Sequence, residues 1–252
     1  MAGQLFGQHS WRGKLVAHCF LLETDRDGLV LVDTGFGTPD IEHRSGITRS
    51  TMFMLSAKLV REETALAQIE ARGFRASDVR HIVVTHLDLD HAGGLPDFPG
   101  AKVHLHAREH AAAIAPATFN EKRRYIKSQL AGAQFEVYAE DGETWRGLPA
   151  VTKLRGVAAD IGLLPMHGHT RGHSAVLVKD SERWLVHAGD AYFHRNTLTG
   201  AKVPIGFRMF ERTMAVDDAA RRSSAAALRQ LHASYPDVSL YSAHDPVEFA
   251  NA

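Results

Sequence analysis

The run Thr85-His86-Leu87-Asp88-Leu89-Asp90-His91-Ala92-Gly93-Gly94 places two imidazoles and two carboxylates within six positions. Neutral imidazole and carboxylate are the side chains that hold borderline and hard divalent cations, so the chemistry indicated is metal-assisted. The apolar residues between the polar ones, and the two glycines that permit a tight turn after them, describe a packed loop with its ligand atoms turned inward. With 16 histidines in 252 residues, a metal site is the first hypothesis. Cys19 is the single cysteine, which excludes an internal disulfide and argues against a thiolate-bound zinc.

Complementary donors lie further along. Pro165-Met166-His167-Gly168-His169-Thr170-Arg171-Gly172-His173-Ser174 sets histidines among glycines, His187-Ala188-Gly189-Asp190 ends an apolar run on a carboxylate, and Leu240-Tyr241-Ser242-Ala243-His244-Asp245-Pro246 adds a late histidine. Each segment alone is a weak sign of a metal site; together with the 86–91 run they supply a full set of donors.

The elements that must position these groups alternate between strand and helix patterns. Lys14 to Glu23, the turn Asp25-Arg26-Asp27-Gly28 and Leu29 to Val32 read as a hairpin ending at Asp33-Thr34-Gly35. Ala65, Leu66, Ile69 and Ala71 repeat at helical spacing up to Gly73. Val79 to Thr85 is a buried strand that delivers the histidine-aspartate loop. Further strands are expected over 101–106, 175–179 and 184–187, and helices over 108–113 and 217–232. Residues 45–61 have no clear pattern, and 196–214, with Gly200, Pro204 and Gly206, read as a long irregular excursion. No repeat, low-complexity segment or linker divides residues 1–252, so a single α/β domain is expected.

Composition narrows the function. Lys plus Arg equals Asp plus Glu at 29 each, so no overall field draws the chain to nucleic acid or anionic lipid. Met1 to Lys14 lacks an apolar stretch of signal-peptide length and no run could span a bilayer, so the expected location is the cytoplasm, with neither membrane nor nucleic acid as partner.

These motifs together resemble the metallo-β-lactamase superfamily, whose pattern is His-x-His-x-Asp-His, Gly-His-Thr-x-Gly-His, a Gly-Asp pair and a late histidine. Here they stand as His86 to His91, Gly168 to His173, Gly189-Asp190 and His244, with Asp33-Thr34-Gly35 similar to the family's early turn. The resemblance spans nearly the whole chain and implies a four-layered αββα sandwich with the site at one edge. It implies that His86, Asp88 and His169 bind a first metal, that Asp90, His91 and His244 bind a second, and that Asp190 bridges both. The implied cofactor is two divalent ions, zinc first, with manganese or iron as alternatives. One ligand departs from the pattern: Asp88 stands where the family has its second histidine. A carboxylate there adds negative charge and favours harder metals; the iron-carrying flavodiiron relatives are similar in having an acidic residue at that place.

The reading that follows is a metal-dependent hydrolase that opens an ester-type bond, a lactone, ester or thioester, with a hydroxide shared by two metals about 3.5–4 Å apart. Asp90 would both ligate and orient the nucleophile, and Tyr192 and His194, just beyond Asp190, are the candidates for an acid or oxyanion donor. The partner would be a small molecule. Phe53, Met54, Phe207, Met209 and Phe210 would line an apolar substrate pocket, or else bury against each other or form a homodimer contact. His104 and His106 are read as structural, and His173 as a support for the ligands. A di-iron oxidoreductase of the same fold is the alternative that Asp88 keeps open, and a phosphodiesterase or ribonuclease, against which the neutral charge counts, is the third.

Overall fold

The structure is a computed structural model and describes residues 2–4, 15–43, 47 and 57–252. Strands are β1 Ala2–Gln4, β2 Val16–His18, β3 Phe20–Glu23, β4 Leu29–Val32, β5 Val79–Val83, β6 Lys102–His106 and β7 Gln134–Tyr138, followed by β8 Glu143–Trp145, β9 Leu148–Lys153, β10 Ile161–Pro165, β11 Ser174–Asp180, β12 Arg183–His187 and β13 Val238–Tyr241. One sheet has the order β3-β4-β5-β6-β7 and the other β13-β12-β11-β10-β9-β8, while β1 pairs with β2. In the first sheet β4 to β7 run parallel; in the second only β12 and β13 do.

The strand pleat explains the layers. Successive side chains of a strand point to opposite faces, so Val30 and Val32 of β4 meet Leu163, Val176 and Val178 in a core between the sheets. Leu29 and Leu31 face the other way, against Ile69 and Ala112 of the helices Ala65–Glu70 and Ala107–Ile114. On the far side Ala175 and Leu177 pack on Leu228 and Leu231 of the helix Asp218–Ser234. Helices, sheet, sheet and helices make the expected four-layered αββα sandwich. Strands buried on both faces cannot show a polar-apolar alternation, which is why β4 reads as a continuous apolar run, and β5 is apolar toward its end, where Ile82 and Val83 are buried.

One expectation is corrected. The excursion at 196–214 is mostly helical, with helices Asn196–Thr199 and Ile205–Met214. Gly200 ends the first in the left-handed region (φ +75) and Pro204 precedes the second, so residues read as breakers mark helix boundaries. Phe207 and Phe210 of the second helix pack against Phe193 and Phe36, whereas Met209 is exposed. Phe53 and Met54 lie outside the described residues. Between 115 and 165, where no element was expected, the chain forms two short helices, Phe119–Arg124 and Lys127–Leu130, and strands β7 to β10. Among the described residues no helix is long and apolar enough to cross a membrane.

Candidate metal centre

Four strand ends converge at one edge of the sandwich. β5 carries the loop of His86, Asp88, Asp90 and His91; the turn between β10 and β11 carries His169; the segment after β12 carries Asp190; the segment after β13 carries His244. The ligand atoms of His86, Asp88, His169 and Asp190 all lie within 4.8 Å of one another, and so do those of Asp90, His91 and His244. Asp190 joins the two groups. Its Oδ2 is 3.2 Å from His169 Nε2 and 3.7 Å from His86 Nε2, and its Oδ1 is 2.9 Å from His244 Nε2 and 3.2 Å from His91 Nε2.

The imidazoles are oriented from behind. His86 Nδ1 lies 2.9 Å from Thr85 Oγ1, whose own proton goes to Asp33 Oδ2 at 2.8 Å, so Nδ1 is the donor. His91 Nδ1 donates to Asp33 Oδ2 at 2.8 Å and His244 Nδ1 to the Val16 carbonyl at 2.7 Å. A protonated Nδ1 leaves a lone pair on Nε2 of a neutral ring. Three such lone pairs therefore face carboxylate oxygens, and His86 Nε2, His91 Nε2, Asp88 Oδ1 and Asp190 Oδ1 are buried without a hydrogen-bond partner. Converging lone pairs in a buried site repel unless cations lie among them, so the donor set fits bound metal. Burial disfavours a charged His91, yet Asp190, Asp33 and Asp90 outweigh it and hold its pKa well above the ordinary imidazole value. Burial works against a charged Asp190 as well, and His244, His91 and His169 overcome it to hold the carboxyl well below its usual range.

Three residues hold the loops in place. Asp33, at φ +53, accepts the Thr85 backbone N–H at 2.7 Å as well as the Thr85 hydroxyl and His91. His173 donates from Nδ1 to the Met166 carbonyl at 2.8 Å and accepts the Asp190 N–H on Nε2 at 2.9 Å, which fixes the backbone of the shared carboxylate. A Cβ at Gly189 would lie 2.6 Å from that same His173 nitrogen, and Gly189 has φ +52, so only glycine fits before Asp190. Glu109 is fully buried; its Oε1 accepts the Leu87 N–H at 3.0 Å, and its Oε2 accepts the Thr170 hydroxyl at 2.6 Å and the Gly172 N–H at 3.1 Å. It thus ties the β5 loop to the His169 loop. The sequence offered no sign of Glu109 beyond an acidic residue one turn from the buried Ala112.

Tyr192 and His194 are not brought to the ligand atoms in the way expected. The Tyr192 ring is in the core beneath the six-stranded sheet and its hydroxyl donates to Glu248, 3.1 Å away. His194 Nδ1 accepts the Asn196 N–H at 3.1 Å and its ring packs edge-on against Phe207. Residues just after Asp190 leave on a turn, so alternate side chains do not share a direction. The one that faces the site is Phe193, whose ring lies 4.6 Å from His244 and 6.0 Å from His169, centroid to centroid.

His104 is tied to Tyr138 and His81 by its two ring nitrogens, at 2.7 and 2.9 Å, away from the ligands. A third cluster, His106, Glu140 and His167, also places ligand atoms within 4.8 Å. It is a poor metal site. His106 Nδ1 accepts the Arg108 N–H, which leaves the proton on Nε2, and the Arg108 guanidinium already sits on Glu140.

Comparison with known proteins agrees with this geometry. The family described as the metallo-beta-lactamase superfamily matches residues 12–235. The "Probable metallo-hydrolase" of Mycobacterium tuberculosis is 44% identical over 237 residues, covering 92% of this chain and 75% of that protein. An N-acyl homoserine lactonase of Bacillus cereus is 26% identical over 171 residues, 67% of this chain and 60% of that one. Among solved structures, an N-acyl homoserine lactone hydrolase with its product N-hexanoyl-L-homoserine at the catalytic metal centre superposes with a TM-score of 0.69 at 21% identity, covering 95% of this chain and 85% of that one. The chain belongs to the metallo-beta-lactamase superfamily and is a metallo-hydrolase of that fold.

Proposed function

We propose that this protein hydrolyses an ester-type bond, a lactone, ester or thioester, in a small-molecule substrate. His86, Asp88 and His169 would hold one divalent ion, Asp90, His91 and His244 a second, and Asp190 would serve both; zinc is the first choice, with manganese or iron as alternatives. The single observation behind this is the position of the Asp190 carboxylate, with one oxygen among His86 and His169 and the other between His91 and His244. When bound, two such ions supply a water acidic enough to act near neutral pH and polarise a carbonyl oxygen. The chain's own residues orient and exclude. Asp90 is the least buried of the ligand candidates, its side chain 14% exposed. Phe193, with Phe207 and Phe210 behind it, offers an apolar wall for the body of a substrate. Likeness to the Bacillus cereus lactonase supports the ester-type class.

The second reading, a di-iron oxidoreductase, is favoured by Asp88 alone, whose oxygen lies 3.0 Å from His169 Nε2 among the first set of ligands. Mass-spectrometric metal analysis of untagged protein prepared without chelators, followed by lactone and ester assays on the same sample, separates the two. About two zinc or manganese per chain with turnover is the expected result. Two irons, with a visible band that changes on reduction and no hydrolysis, would replace it.

A further inference from the structure

Position 88 is where the family pattern is broken, and the structure sets a cation beside it. Arg124 ends the helix Phe119–Arg124, its side chain only 8% exposed, and its Nη1 lies 2.8 Å from Asp88 Oδ2. Its Nη2 donates to the carbonyl of Met214, at the end of the helix Ile205–Met214. The helix that carries Arg124 is itself fixed. Thr118 and Glu121 form a capping box at its start, and Glu121 also accepts from Arg171, two residues beyond His169, at 2.6 Å. The guanidinium is therefore held by two partners, on a helix that is itself pinned. Asp88 precedes the short helix Leu89–Ala92 as its N-cap but makes no side-chain capping bond; its carboxylate is turned to Arg124 and His169 instead.

Neither member suits this place alone. A buried arginine without a carboxylate carries an uncompensated charge, and a buried aspartate added to Asp90 and Asp190 would raise the negative charge of a group that already holds two. We infer that Arg124 is a positioning residue that makes an aspartate at position 88 equivalent in charge to a histidine: the pair sums to zero, as a neutral imidazole does. The guanidinium holds Asp88 by Oδ2, the same oxygen that lies 3.0 Å from His169 Nε2 and 3.4 Å from His86 Nε2. This rests on the reading of His86, Asp88, His169 and Asp190 as metal ligands. Its consequence is that positions 88 and 124 are coupled. A histidine at 88 would leave the buried guanidinium bare beside the metals, and removing the arginine as well would restore the balance.

The test is a set of four proteins, wild type, Asp88→His, Asp88→His with Arg124→Met, and Arg124→Lys, each checked for folding by circular dichroism. Metal content is measured by mass spectrometry and zinc affinity by competition with a chromophoric chelator. Asp88→His should lose about ten- to a hundredfold in zinc affinity, the double variant should regain most of it, and Arg124→Lys, which keeps the charge, should stay within a few-fold of wild type. Should Asp88→His alone not fold, recovery of a folded, two-metal protein by the double variant is the same result. Full affinity in Asp88→His, or a double variant no better than the single one, overturns the inference. A wild type that binds no metal overturns the ligand assignment instead.

Discussion

Glu109 is not a ligand candidate, yet the geometry makes it the residue whose loss should loosen the whole centre. Glu109→Gln is the sharpest perturbation, because it keeps shape and removes charge. The carboxylate accepts one bond on Oε1, from the Leu87 N–H, and two on Oε2, from Thr170 and Gly172. The best placement of the amide keeps its oxygen at the Oε2 position and turns its NH2 toward the Leu87 N–H. That buried donor then has no acceptor, at a cost of about 1–3 kcal/mol, and the other two bonds fall from about 1.5–3 kcal/mol each for a charged acceptor to about 0.5–1.5 for a neutral one. The sum is a destabilisation of about 3–6 kcal/mol. Urea unfolding of chelator-treated wild type and variant reads this as a lower midpoint at unchanged m-value. The variant should also bind metal about ten- to a hundredfold more weakly, because both ligand-bearing loops lose their common tether. A stability difference below about 1 kcal/mol, with metal binding intact, would refute the reasoning.

Three further outcomes are expected. Asp190→Ala should strip metal from both positions, and mass spectrometry finding two ions per chain in that variant would contradict the shared carboxylate. Tyr192→Phe deletes only the donor to Glu248 and should lower stability by about 1 kcal/mol with metal content and turnover unchanged; a collapse of turnover with the metals retained would return the phenol to the reaction. Burial raises the Glu248 carboxyl to about 7, above about 4.3 for an unfolded chain. The folded protein therefore holds a proton that the unfolded one releases, a stabilisation complete below about 4.3 and lost as pH rises through about 7. Glu248→Gln should flatten the stability curve across that window, and parallel curves for the two proteins would show that Glu248 titrates normally.

The ligand candidates were legible in the sequence because they cluster in short runs at strand ends, where local spacing and spatial proximity coincide. His86, Asp88, Asp90 and His91 lie on one loop, and His169, Asp190 and His244 each follow an apolar strand. The strands β4, β5, β11 and β12 were legible for the same reason. The stretch from 115 to 165 was not, since its helices are of 6 and 4 residues, too short to show a period.

By itself, then, the sequence determined the alternation of strands and helices through apolar periodicity and the residue types gathered at the site through motif order, and the resemblance those motifs carry implied the layers. Only the tertiary structure decided which ring nitrogen of each histidine is turned inward, that Tyr192 points to Glu248 rather than to the ligands, and that Glu109 and Arg124 serve the site at all. The physical reason is range. Glu109 reaches Leu87 and Gly172, 22 and 63 residues away, and Arg124 reaches Asp88 across 36 and Met214 across 90. A hydrogen bond acts over about 3 Å in space, and no local pattern in the chain records which distant donor will be folded to within that distance.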